Sequence, residues 1–187
     1  MDWVIIGLVV VFLLFCIMTY NGLIAKKNQV ENAESSIDVM LKKRFDLIPN
    51  LVESVKAYTK HESSVLTELT DIRSKAMSGN LSSEDKVELD KRMNQALSQF
   101  NVTVEAYPEL KASENFSHLQ RTLNEVEEQI SAARRSFNAA VTNLNNAVEM
   151  FPSNIFANFM GLTTRTLFEI PEAEKANPNV GSLFGNS

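Results

Sequence analysis

The sequence predicts an all-α protein in which an N-terminal transmembrane helix continues into an antiparallel up-down four-helix bundle. Three observations carry that expectation. The stretch WVIIGLVVVFLLFCIM (Trp3 to Met18) has no charge and no strong helix breaker. Between Phe116 and Phe151, large apolar residues recur every seven positions. Breakers are sparse, with five prolines and six glycines in 187 residues, and no alternating strand pattern stands out.

The first element is the anchor, residues 1–25. Counted from Trp3 to Ala25 the uncharged run is 23 residues, and roughly 20 suffice to span a bilayer. A cleaved signal peptide fits poorly, because Asp2 stands where a basic segment would be and no good A-x-A site follows. Trp3 and Tyr20 sit at the two ends, where amphipathic rings favour the headgroup region. Lys26 and Lys27 follow at once, and Lys42, Lys43 and Arg44 come within the next twenty residues. The positive-inside tendency then puts the N-terminus outside and the body in the cytoplasm.

Residues 26–152 carry the bundle. A first helix, 26–45, shows the stripe Val30, Ala33, Ile37, Met40 and Leu41. A second, 47–76, carries Ile48, Leu51, Val52, Val55, Tyr58, Val65, Leu66, Leu69, Ile72 and Ala76. Between them Lys42, Lys43 and Arg44 oppose a helix C-terminal dipole. Asp46 would cap the next helix, and Pro49 would stand in its first turn. Arg44, Asp46 and Pro49 are therefore expected to form an elbow; a kink in one continuous helix is the alternative. A first helix this short and a second this long would drive the second into the bilayer. The span would then have to end near Met18, at only ~24 Å, and a short anchor must thin the bilayer or associate.

MSGNLSS (Met77 to Ser83) reads as a loop. The third helix starts after Ser83, runs to about Tyr107, and turns Leu89, Met93, Ala96, Leu97, Phe100, Val104 and Tyr107 inward; Pro108 breaks it. The fourth runs 114–151. Phe116, Leu123, Ile130, Phe137, Leu144 and Phe151 form its heptad row, and Leu119, Val126, Ala133, Ala140 and Ala147 form a second. Pro152 ends it. Residues 153–187 form a short apolar element and an irregular tail rich in Pro, Asn and Gly. Up-down topology returns the chain to the bilayer there. Ile155, Phe156, Phe159 and Met160 are then either an interfacial element or a cap on the open end of the core.

The chemistry-bearing residues are few. The net charge of −5 argues against nucleic acid, which calls for a surplus of Lys and Arg. Cys16 is single, so no internal disulfide forms. His61 and His118 are the only histidines, they are far apart along the predicted helices, and His61-Glu62 lacks the second histidine of a zinc-protease motif. No G-x-S-x-G and no phosphate-binding glycine loop occurs. No catalytic, cofactor or metal site is expected.

The stretches YNGLIAKKNQVENAESSIDVMLKKRFDLIPNLVESVKAYTKHE (20–62), YPELKASENF (107–116), ARRSFNAAVTNLNN (133–146), FPSNIFA (151–157) and FEIPEAEKA (168–176) resemble the LemA family. Glu34 stands where the family pattern usually has tryptophan, and Phe137 where tyrosine is common. The resemblance implies a bacterial single-pass protein of the cytoplasmic membrane, with a cytoplasmic helical bundle and no established enzymatic activity. It also implies similarity to a magnetosome-membrane protein linked to membrane shaping, and genes near that of a membrane metalloprotease. The function expected is a non-enzymatic membrane-anchored scaffold that self-assembles and organises or remodels the membrane, its partners being itself and the bilayer. The alternative is an adaptor for a membrane protease or sensor.

Overall fold

A computed structural model describes residues 2–56, 58, 64–79 and 83–168, and all regular structure among them is helical. The elements are α1 (Asp2–Lys56), α2 (Ser64–Ala76), α3 (Ser83–Val104), α4 (Pro108–Lys111), α5 (Glu114–Glu149) and α6 (Ser153–Phe159). The chain divides into two compact units, one of Met1–Glu31 with Arg134–Ser187 and one of Asn32–Ala133. Helices α1 and α5 supply residues to both.

The Asn32–Ala133 unit is a four-helix bundle whose cross-links fix its topology. Asp38 of α1 accepts two bonds from Lys86 of α3, both 2.8 Å, and Arg44 reaches Asn94 further along the same pair. Sequence number thus rises together on α1 and α3, which are parallel. The Phe45 carbonyl of α1 meets Arg73 of α2, while Leu41 and Phe45 share a groove with Ala76, so α2 runs back along α1. Glu68 of α2 accepts from Arg92 of α3 at 2.7 Å and holds that guanidinium's pKa above its ordinary value. Phe100 and Phe116 meet with ring centroids 6.2 Å apart, across the reversal between α3 and α5. The order is up, down, up, down. Ile37, Leu41, Ile48 and Leu51 of α1 are buried, with Leu66, Leu69 and Ile72 of α2. So are Met93, Ala96 and Phe100 of α3 and Phe116, Val126 and Ile130 of α5.

The elbow expected at Arg44, Asp46 and Pro49 is absent, because α1 runs unbroken through all three to Lys56. The physical reason lies at Phe45. A proline inside a helix removes the N–H that would bond the carbonyl four residues back. For Pro49 that is the Phe45 carbonyl, and Arg73 of α2 takes it over through Nε at 3.2 Å. Residues 47–56, read from sequence as the start of a second helix, are the end of the first. The reversal falls after Lys56, and α2 is only 13 residues long. The length mismatch that suggested a short membrane span does not arise.

In the other unit the buried apolar residues are Leu23 and Val30 of α1, Phe137, Ala140, Val141 and Leu144 of α5, and Ala157 of α6. The heptad row on α5 is buried through Leu144, with Leu123 half-buried. It stops there: the helix ends at Glu149, and Phe151 is 79% exposed.

Candidate membrane-facing site and buried charge cluster

Among the described residues, little of the apolar run on α1 is covered by the rest of the chain. Its most apolar 18-residue window has a mean hydropathy of 2.7 and is entirely unburied. Trp3 is 86% exposed, and the large side chains from Val4 to Met18 all face outward. A soluble protein rarely leaves so large a contiguous apolar surface bare, and the run is long and apolar enough to cross a membrane. Tyr20 is exposed, while Lys26 and Lys27 are half-buried, with Lys27 3.5 Å from Glu31. These residues mark the polar end of the run.

Helix α6 lies beside this segment. Phe156 packs edge-on against Phe15, with centroids 6.2 Å apart and an interplanar angle of 70°. Ala157 is the residue of α6 that is buried; Phe156 and Met160 are half-buried, and Ile155 and Phe159 face outward, Phe159 at 95% exposure. Gly161 stops the helix. At φ +67 it adopts the left-handed conformation, its N–H reaches the Asn158 carbonyl at 3.1 Å, and Leu162 N–H reaches the Ala157 carbonyl at 2.9 Å. This paired closure satisfies the last carbonyls and needs a residue that tolerates positive φ.

The chain then runs back along α5. Asn145 clamps the backbone of Arg165, accepting its N–H at 2.9 Å and donating to its carbonyl at 2.8 Å. Asn138 clamps Phe168 in the same way, at 2.8 and 3.0 Å. The Phe168 ring meets Phe137 edge-on at 5.1 Å. Residues 162–168 have no regular secondary structure, and the two asparagines, seven residues apart on α5, hold them.

Arg44 is buried in the Asn32–Ala133 unit. It is 1% exposed at the centre of the bundle. Its Nη2 donates to Asp90, and its Nη1 donates to Asn94 at 2.8 Å and to Glu127 at 2.7 Å. Its Nε has no acceptor among the described residues. The seven-residue row Leu23, Val30, Ile37, Arg44, Leu51 on α1 is buried throughout, so Arg44 occupies a core position of a heptad pattern. Of the expected elbow residues, Asp46 instead forms an exposed pair with Lys42 at 3.0 Å, and Pro49 is half-buried. His61 lies outside the described residues. His118 is exposed, and no group of three metal-ligating side chains occurs among the described residues.

The LemA family model matches residues 33–181, most of the chain. The chain belongs to the LemA family. It is 26% identical over 183 residues to Protein LemA of Metamycoplasma hominis, covering 92% of this chain and 84% of that protein. It is 23% identical over 186 residues to Magnetosome protein MamQ 2 of Paramagnetospirillum magneticum, covering 86% of this chain and 68% of the relative. Magnetosome protein MamQ of Magnetospirillum gryphiswaldense is 22% identical over 177 residues, covering 81% of this chain and 65% of that protein. The LemA match includes Arg44, Asn138, Asn145 and α6, whereas the apolar run of α1 precedes it. Neither the family description nor these names denotes an enzyme.

Proposed function

We propose that the chain is a non-enzymatic, membrane-anchored structural protein that associates with its own copies and organises the membrane holding it. The observation that carries this reading is the seating of α6 on Phe15. Phe15 lies one turn before Met18, about 4.5 Å from the end of the apolar run. Ile155 and Phe159, both outward-facing, therefore stand level with the outer hydrocarbon of a single leaflet. One helix crosses the bilayer and a second adds apolar bulk on one side. Amphipathic elements placed in this way act on lipid packing and curvature. The inner side follows from Lys26 and Lys27, which favour a cytoplasmic body.

The test is reconstitution. Purified protein in liposomes is expected to form oligomers by in-membrane crosslinking and to change vesicle diameter or tubulation as protein density rises. Strict monomers together with unchanged vesicles sink the proposal. Recovery of a foreign protein in stoichiometric yield after crosslinking in cells, without self-crosslinks, replaces it with the adaptor reading.

A further inference from the structure

The two asparagine clamps are spaced like a receptor for an extended backbone. Asn138 and Asn145 are seven residues apart, so they lie on nearly the same side of α5, separated by about 10.5 Å along its axis. The residues they hold, Phe168 and Arg165, are three apart. Backbone groups that face one way at every third residue match the polyproline II screw, whose repeat is about 9.3 Å, rather than the twofold strand. Helix and segment are thus commensurate over one repeat, and they run antiparallel.

The asparagines hold the segment by its backbone. Each asparagine pairs both the N–H and the C=O of one residue. The side chains of residues 163–167 are exposed. Phe168 against Phe137 is the one aromatic anchor. Such a face accepts an extended segment with no proline at the clamped positions and an aromatic at the second.

We infer that the α5 face formed by Phe137, Asn138 and Asn145 is a peptide-binding site, occupied in cis by residues 163–168 and open to the same segment of a second copy. The second copy is the partner that fits because its segment carries the same backbone pattern and the same aromatic. Exchange of an identical element is also a low-cost route to association. Copies confined to one membrane meet at high effective concentration. The exchange step rests on the self-association proposed above; the site itself does not.

The probe is a synthetic peptide of residues 162–169 with a benzophenone in place of the Phe168 ring, added to full-length protein in nanodiscs. Phe168→Asp weakens the resident segment in the protein and is expected to raise photolabelling of residues 134–141 by about tenfold. Adding Asn138→Ala and Asn145→Ala is expected to reverse that gain. The Asn→Asp pair, which keeps the acceptors and loses the donors, should fall between. Helicity measured alongside shows whether each variant folds. Labelling of the α5 face that is missing in the folded Phe168→Asp protein, or indifferent to both asparagines, overturns the site. In the wild type, slow amide exchange at Arg165 and Phe168 against fast exchange at Thr164 and Thr166 is expected; uniform exchange along the segment also overturns it. If copies associate and excess unlabelled peptide leaves them associated, exchange is overturned while self-association stands. If copies never associate, both fall and the cis site is judged by the labelling alone.

Discussion

At the scale of single residues, Arg44 shows how a charge can belong in a core. Three acceptors from two other helices converge on it, and it in turn fixes how those helices sit against α1. Buried ionic groups of this kind add little net stability over an apolar replacement, yet removing one partner is strongly destabilising. Arg44→Ala is therefore expected to destabilise the bundle by about 3–5 kcal/mol, chiefly through the carboxylate of Asp90, which is 8% exposed. Arg44→Lys should recover only part, since an ammonium cannot reproduce the guanidinium fork. Thermal unfolding followed by circular dichroism reads both. Arg73 offers a sharper test. In the wild type Arg73→Ala should cost about 1 kcal/mol by stripping the Phe45 carbonyl of its donor. In a Pro49→Ala background the backbone N–H regained at that position serves the carbonyl, and the same change should cost almost nothing. Equal losses in both backgrounds would refute the account of why the proline is tolerated. These two arginines also mark the limit of what sequence conveyed. Arg44 looked like a cation at a helix end because Asp46 and Pro49 followed it. The donor that lets the helix continue past Pro49 comes from a residue 28 positions from Phe45 in sequence, and no local pattern reveals it. The row Leu23, Val30, Ile37, Arg44, Leu51 is nevertheless legible in sequence as a seven-residue repeat with a charge at one position.

At the scale of elements, the apolar run and α5 were read well because each is long and strongly periodic, so no single residue decides it. Helix α6 was foreseen as a short apolar element with two possible roles. In its burial pattern Ala157 is inside and Phe159 almost wholly exposed, which is the pattern the proposed lipid contact requires. A tryptophan at position 159, in a Trp3→Phe background, should be quenched by lipids brominated near the headgroup end of the acyl chains and little by those brominated near the bilayer centre. Quenching by neither refutes membrane contact. Gly161→Val should loosen this placement, because a β-branched residue strains at positive φ, by about 1–2 kcal/mol. The expected readout is weaker quenching of the same tryptophan with total helicity unchanged. The asparagine clamps stayed hidden for a different reason. A side chain that binds backbone in an extended segment leaves no mark on that segment's own side-chain pattern.

At the scale of the whole molecule, an apolar run long enough to cross a membrane and the first helix of the bundle belong to one unbroken helix, since α1 is continuous from Asp2 to Lys56. Topology is the property to measure. With Cys16→Ser as background, a cysteine at Asp2 should react with an impermeant maleimide on intact cells, and one at the exposed Ser98 only after permeabilisation. The reverse labelling pattern would invert the orientation and move α6 to the opposite leaflet. The all-helical class and the up-down order followed from the sequence because they depend on summed patterns over many residues. The position of the first reversal did not, because the donor that meets the Phe45 carbonyl beside Pro49 comes from α2, far off in sequence.

The match between seven residues on α5 and three on the returning segment also says where this chain can change length. Residues inserted between Gly161 and Thr164 only lengthen a connection, and that entropy grows slowly with length. One residue inserted between Arg165 and Phe168 puts the aromatic out of step with Phe137, and no sliding restores both contacts, since α5 carries serine at 131 and proline follows at 152. Variation in length among related chains should therefore collect before the first clamped residue and be missing between the two.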